Sequence, residues 1–506
     1  MSTMMHYAFS RMRRAAFPLA AAIALAGCAS AGRIAPAART VEPASLGLTA
    51  RAVEFPRTDW WRALSDARLD ALVEQALAGS PSLRGAQARA ERAAAGVQSA
   101  DAALLPRIDG QIDSTRQRFT RFGLVPPPFG GRIFTYNVAQ ANATWELDLF
   151  GRNRAALDAA VGASRAAEAD AAAARVLLAS NVARQYVLLA RLVEQRAVAR
   201  QTRRQREQIL DLVRQRLAAG LDTRVELRQS EGTIPQIAQE IESLDEQIAL
   251  ARNQLAALAG QGPQATAELE PALSALREQP LPAELPLDLV GRRADLVAAR
   301  WRIEAATRDV DAARAQFYPN VNLAAFVGLQ SLVPSLWLDS GAQAWGVGPA
   351  VRLPIFEAGR LRANLRGRAA DLDAAVENWN ATLTDAVREV ADQIASARSV
   401  ERQSVQQRES QRAAEDALDL ATRRYAAGLG TFLNVLTAEA NVLAQRRVGV
   451  DLRARALDVN LALVRALGGG FDADAPGASG VPGAPQRADA TNAATATGLA
   501  SAGASR

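Results

Sequence analysis

The sequence predicts a mainly α-helical chain that carries part of a membrane β-barrel, with the whole unit written twice in tandem. Three observations predict it. Two runs of helical periodicity, about 151–219 and about 357–427, contain no proline. Four shorter runs alternate apolar and polar residues. The stretch Ala-Ala-Gly-Leu occurs at Ala218–Leu221 and again at Ala426–Leu429, each time between two helical patterns.

The chain opens with basic residues at Arg11, Arg13 and Arg14, followed by an apolar run from Ala15 to Ala26. That run is too short to span a bilayer and reads as a secretory signal over 1–27. It closes on Leu25-Ala26-Gly27-Cys28, which resembles a bacterial lipobox, and Cys28 is the only cysteine. Cleavage before a lipid-modified Cys28 is expected. Ala29 and Ser30 follow in place of an Asp, which implies sorting to the outer membrane. Several acyl chains, at about 0.8 kcal/mol per buried methylene, anchor a protein to lipid without a spanning helix. Lipid label is therefore expected to enter the protein and to disappear in Cys28→Ser, and labelling that persists would remove the anchor.

A Pro/Gly/Ala-rich linker occupies 28–65. A helix is expected over 66–104, where Leu69, Leu72, Val73, Ala76 and Leu77 recur at helical spacing, and Pro106 ends it. From Arg107 the period becomes two, with Ile108, Gly110 and Ile112 opposing Asp109, Gln111 and Asp113. A strand over about 107–116 follows, then a Pro/Gly/Phe loop and a second strand over about 134–149. In the second, Ala139, Ala141, Ala143, Trp145, Leu147 and Leu149 oppose Gln140, Asn142, Thr144, Glu146 and Asp148. Such lengths match strands crossing a bilayer at a tilt.

The helix expected over 151–219 would span roughly 100 Å. No ordinary globule needs that. Gly220 suits a left-handed helix end, and a return helix is expected over 224–260. After a Pro-rich connector, 261–286, the same order repeats: helix 287–316, strands 320–330 and 343–355, helix 357–427, the turn, and a return helix 431–467. Val321, Leu323, Ala325, Val327 and Leu329 share one face of the third strand; Trp345, Val347, Val351, Leu353 and Ile355 share one face of the fourth. Pro106 answers Pro319 and Phe150 answers Phe356, so the repeats are 66–260 and 287–467. Leu436, Leu443, Val450, Leu457 and Val464 recur every seven residues, a coiled-coil seam against neighbouring long helices. The Gly/Ala/Pro/Ser/Thr tail, 468–506, lacks core formers and is expected to be disordered.

Four amphipathic strands leave two open edges, whose unpaired backbone groups cost several kcal/mol each in hydrocarbon. One chain cannot close such a barrel, so several must contribute. Asp, Glu, Gln and Asn along one face place water inside.

Composition excludes other classes. Every basic residue is Arg, so no phosphate-binding loop of the Walker type exists, and the one histidine, His6, lies in the leader. The mature chain thus holds no Ser-His-Asp or Cys-His arrangement and no His/Cys metal cluster. An enzyme, a cofactor and a metal site are not expected. The formal charge of +6 is spread among carboxylates; even Arg200, Arg203, Arg204 and Arg206 lack adjacent aromatics, so a nucleic-acid partner is not expected.

Six stretches in order, DWWRALSDARLDALVEQAL, WELDLFGRNR, RLAAGLDTRVELRQSEG, LVGRRADLVAARWRIEAATRDVDAARAQFYPNVNL, LPIFEAGRLRANL and RYAAGLGTFLNVLTAEANVL, resemble the outer membrane factor family of tripartite resistance-nodulation-division efflux systems, in its lipoprotein branch. The resemblance implies a homotrimer whose twelve strands form one outer-membrane barrel, continued by a hollow periplasmic cylinder of helices with an equatorial belt. It implies a passive, gated duct for small molecules, joined through a periplasmic adaptor to an inner-membrane pump. A duct for protein secretion shares the architecture, and a poreless coiled-coil scaffold is the alternative of another class.

The resemblance also places a gate just past each Ala-Gly-Leu. Carried over, it falls on Glu226 and Gln229 in the first repeat and on Asn434 and Thr437 in the second. The second pair departs from family members with acidic residues there, so Asp222, Glu226 or Glu439 are candidates for the gate charge, and Arg224 and Arg228 for its ion pairs between protomers. Gly220, Leu221, Gly428 and Leu429 would form adaptor-contacting tips, or serve only as helix caps.

Overall fold

The computed structural model describes residues 34–47, 55–123, 125, 128–279 and 289–473. The helix expected over 66–104 is two helices, α1 (Ala67–Gly79) and α2 (Pro81–Ala102). Pro81 breaks the ladder and sits at the start of α2, where its missing N–H costs nothing. Then come β1 (Arg107–Arg118), β2 (Ile133–Leu147), α3 (Arg152–Ala218) and α4 (Arg224–Leu258). The second pass comprises α5 (Ala294–Ala315), β3 (Asn320–Ser331), β4 (Gln343–Arg352), α6 (Arg360–Ala426) and α7 (Phe432–Ala466). The helix expected over 287–316 is interrupted at Arg293, whose ψ of 120° is extended, leaving Leu289–Arg292 as a separate turn.

The duplication is visible in the lengths. α3 and α6 both have 67 residues, α4 and α7 both 35, α2 and α5 both 22, and β1 and β3 both 12.

The strands form one antiparallel sheet in the order β1-β2-β3-β4. Its register aligns the alternating faces across all four strands. Ile112 pairs with Ala139 and Ala139 with Leu329; Ala141 pairs with Val327 and Val327 with Trp345. Ile108, Ile112, Val327, Trp345, Val347 and Val351 are all more than half exposed on that face. A protein that hid apolar groups from water would not leave such a face bare; lipid accounts for it. On the opposite face Asp109 pairs with Asn142 and Asn142 with Phe326. The expected wet lining holds for β1 and β2, where Asn142 donates to Gln111 (3.3 Å), Gln140 to Asn142 (2.8 Å) and Gln330 to Gln140 (3.2 Å). Along β4 that face is Gly and Ala instead, at Ala344, Gly346, Gly348 and Ala350.

Below the sheet α3 packs against α2, α4, α5 and α7. The main core gathers Trp60, Trp61, Leu69, Tyr186, Ile248 and Leu457, and the buried Tyr186 hydroxyl donates to Asp66 at 2.7 Å. The seven-residue seam of α7 lies against α3: Val450, Leu457 and Val464 are buried. Pairs run antiparallel along its flanks, Arg184–Asp458 at 2.6 Å, Arg453–Glu194 at 2.7 Å and Arg206–Glu439 at 2.7 Å.

Two segments read as loose linkers are packed. Residues 34–42 lie along α6, where Asp373 accepts from the Ala37 and Ala38 amides (2.8 and 2.9 Å) and Asn380 from that of Val41 (2.7 Å). The first residues of the segment expected to be disordered, Gly468, Gly469 and Gly470, close against the core. All three have positive φ, and a Cβ would stand 1.8 Å from the Arg292 carbonyl at Gly468 and 2.2 Å from that of Arg57 at Gly470. Only glycine fits. Arg292 then pairs with Asp472 at 2.6 Å. The signal, Cys28 and the chain after Ala473 lie outside the described residues.

Candidate functional site

The two Ala-Ala-Gly-Leu turns are built alike. Gly220 (φ 72°) and Gly428 (φ 75°) are left-handed. The Leu221 amide donates to Arg216 O (2.9 Å) and the Gly220 amide to Leu217 O (3.0 Å); Leu429 donates to Arg424 O (2.8 Å) and Gly428 to Tyr425 O (3.0 Å). This is the paired closure that satisfies the last carbonyls of a helix. Leu221 and Leu429 are nevertheless 64% and 70% exposed. One helical turn on, Val225 and Leu433 are also exposed, so each tip presents two apolar side chains at equivalent positions.

The residues after the turns separate the repeats. Thr223 caps α4: its side chain accepts from the Val225 amide at 3.1 Å, and its own amide and hydroxyl donate to Glu226, the amide at 2.9 Å. This reciprocal box employs the Glu226 carboxylate inside its own turn. The Thr223 hydroxyl and backbone N–H groups hold its pKa below the usual carboxylate range. Glu226 thus serves as the cap of its own helix. Asn434 stands at the equivalent position, and Thr431 caps α7 with no side-chain hydrogen bond. Glu226→Gln is expected to lower thermal stability slightly and leave permeability unchanged, checked by thermal unfolding and antibiotic susceptibility.

Arg228 pairs with Glu231 on its own helix at 2.8 Å. Arg224 and Gln229 are exposed, as are Asn434 and Thr437, the Thr437 hydroxyl donating to Leu433 O at 2.9 Å. Glu439 is not a tip charge. It is 3% exposed and pairs with Arg206 of α3 at 2.7 Å.

Asp222 binds the two hairpins together through residues to which the sequence reading gave no role. Arg216, at the end of α3, donates to both Asp222 carboxylate oxygens (3.0 and 3.3 Å) and to the Tyr425 carbonyl (2.8 Å). Its guanidinium stacks 4.5 Å from the Tyr425 ring centre, and the Tyr425 hydroxyl donates to Asp222. The Arg216 and Asp222 side chains are 10% and 7% exposed. Burial and Asp222 push the Tyr425 phenol well above its ordinary pKa, and hydrogen bonding to Asp222 raises that of Arg216. Tyr425, Phe432, Val213 and Leu418 pack around this clasp. A signal existed: Tyr425 replaces Leu217 at the head of the repeated stretch, giving one hairpin a polar handle on an apolar body.

Known proteins are similar to the chain in sequence and fold. The sequence profile of the outer membrane efflux protein family matches residues 72–261 and 285–469. A fusaric acid resistance protein of Burkholderia cepacia is 39% identical over 69% of this chain and 67% of its own length. The multidrug resistance outer membrane protein MdtP of Escherichia coli is 30% identical over 83% of this chain and 88% of its own. Among solved structures, the outer membrane protein VceC of Vibrio cholerae superposes with a TM-score of 0.78 at 36% identity, over 83% of this chain and 100% of VceC. The open MtrE outer membrane channel of Neisseria gonorrhoeae gives 0.76 at 25% identity, over 87% and 98%. This chain belongs to the outer membrane efflux protein family and is the outer-membrane channel component of an efflux pump.

Proposed function

We propose that three copies of the chain form one duct, with twelve strands in the outer membrane and the α3–α4 and α6–α7 hairpins as a periplasmic tube. The observation that carries this reading is the sheet itself, with apolar groups bare on one face and unpaired edges on β1 and β4. Those edges require neighbouring chains in lipid. Four strands per chain reach the observed minimum of about eight only in an oligomer, and three copies give twelve. The native mass of the detergent-purified protein is expected to be that of a trimer; a monomer that conducts in planar bilayers would overturn it.

The tips take the docking role. Leu221 with Val225 and Leu429 with Leu433 offer paired apolar anchors to the helical hairpin of a periplasmic adaptor, which joins the duct to an inner-membrane resistance-nodulation-division pump. The Asp222–Arg216–Tyr425 clasp takes the gating role, fixing the second hairpin against α3. Leu221→Asp with Leu429→Asp is expected to abolish cross-linking to the adaptor with trimer yield unchanged. Loss of the trimer itself would make these leucines structural. Lipidation of Cys28 would hold the mature chain at the same membrane.

A further inference from the structure

The first β-hairpin ends in a group of exposed arginines. From Ser114 to Trp145 the chain contains Arg116, Arg118, Arg121 and Arg132 but no Asp or Glu. All four are exposed, and among the described residues none forms an ion pair. The hairpin ladder continues past the Arg118–Ile133 pair, with the Phe119 amide donating to Arg132 O (3.0 Å) and the Gly131 amide to Phe119 O (2.9 Å). Arg118 Nε donates to the Gly131 carbonyl at 3.3 Å. Arg121 lies along the same glycine, where a Cβ would meet its Cγ at 2.7 Å and its Nε at 2.9 Å. Arg132 is the next residue. Arg116 sits two positions down β1 from Arg118, on the face that carries Ile108 and Ile112.

Two guanidinium groups therefore meet at Gly131, with Arg116 two residues along β1 and Arg132 next in the chain, although like charges repel and none of the four forms an ion pair among the described residues. An anion would. The planar Arg fork matches phosphate oxygens, which it binds bidentately. The position selects the source. The helices leave from the other end of the sheet, so this hairpin points away from the periplasm, and Arg116 and Arg118 lie on the lipid side of the wall. Phe122 (98% exposed) and Ile133 (59%) add apolar contacts beside them. The β3–β4 hairpin exposes Leu336 and Leu338 but has no Arg between Ser331 and Gln343, so the charge is particular to one hairpin.

We propose that Arg116, Arg118, Arg121 and Arg132 dock the phosphate groups of the phosphorylated glycolipid of the outer leaflet. The proposal rests on the placement of the sheet in the outer membrane. Each Arg near an anionic lipid surface contributes roughly fivefold to affinity, so losing all four weakens binding by at least about a hundredfold.

The test titrates the full-length protein in detergent with bisphosphorylated lipid A and with the same lipid after phosphate removal. Wild type is expected to prefer the phosphorylated form. The variant Arg116→Gln, Arg118→Gln, Arg121→Gln, Arg132→Gln is expected to lose that preference while keeping its β-sheet circular dichroism. The fourfold Lys variant is expected to retain much of the binding, and Arg352→Gln, on the opposite face, all of it. Equal binding of the two lipids by wild type, or equal affinity in wild type and Gln variant, would overturn the site. Planar-bilayer conductance separates this from the duct reading. A conducting Gln variant that has lost the lipid supports the site, whereas a non-conducting wild type with phosphate-dependent binding overturns the duct and keeps the site.

Discussion

Asp222→Ala is expected to open the periplasmic tip and to sensitise cells to antibiotics too large to enter otherwise, with protein level and trimer yield close to normal. The substitution leaves the Arg216 guanidinium, 10% exposed, without its carboxylate. Stripping one partner from a buried pair costs roughly 3–5 kcal/mol. Arg216 keeps the Tyr425 carbonyl at 2.8 Å, which puts the cost at the lower end. A loss of about 3 kcal/mol still shifts the closed tip's population by about a hundredfold. Tyr425→Phe removes only the hydroxyl bond to Asp222 and keeps the ring under the guanidinium; a loss of about 1 kcal/mol is expected, giving intermediate susceptibility. Arg216→Ala combined with Asp222→Ala is expected to cost less than the two single losses added, because it removes the orphaned charge. The main core around Trp60, Trp61 and Tyr186 is untouched by these changes, so thermal unfolding of the whole chain serves as the control. Unchanged susceptibility in Asp222→Ala at normal protein level would remove the clasp from the gate.

Much of the fold was legible because its two solvents leave different periods. Ile108, Gly110 and Ile112 against Asp109, Gln111 and Asp113 alternate as a strand with one apolar and one polar face does, and the register carries that alternation into β2. Breaks were harder to read than elements. The apolar pattern continues across Pro81 and Arg293, although the backbone is extended at Ser80 and at Arg293. Composition misled at Gly468–Gly470, where a linker-like run is a close backbone approach. The tips show the sharper limit. Thr223 and Glu226 carry the spacing of a capping box, so that role was legible. The role of Arg216, and its pairing with Asp222 across to Tyr425, was not, because a charge looks solvated until its partner is seen beside it. The Glu439 pair was hidden for the same reason: its partner Arg206 lies on α3.

Val347→Arg is expected to keep the protein out of the outer membrane, whereas Asn142→Arg is expected to insert normally and shift the channel's ion selectivity toward anions. The two positions separate the faces of one sheet. Val347 is 66% exposed and pairs with Ala325 on the apolar face; Asn142 pairs with Asp109 and Phe326 on the other. An Arg facing lipid at mid-depth costs about 2–4 kcal/mol, and in a closed oligomer every copy bears it. An Arg at 142 faces water beside Asp109, so it adds positive charge to the wall without leaving its solvent. Outer-membrane fractionation reads the first outcome and the reversal potential in a salt gradient the second. Normal insertion of Val347→Arg with failure of Asn142→Arg would mean that the sheet faces the other way. That result would also undo the lipid-side placement of Arg116 and Arg118, because β1 shares its register with the whole wall.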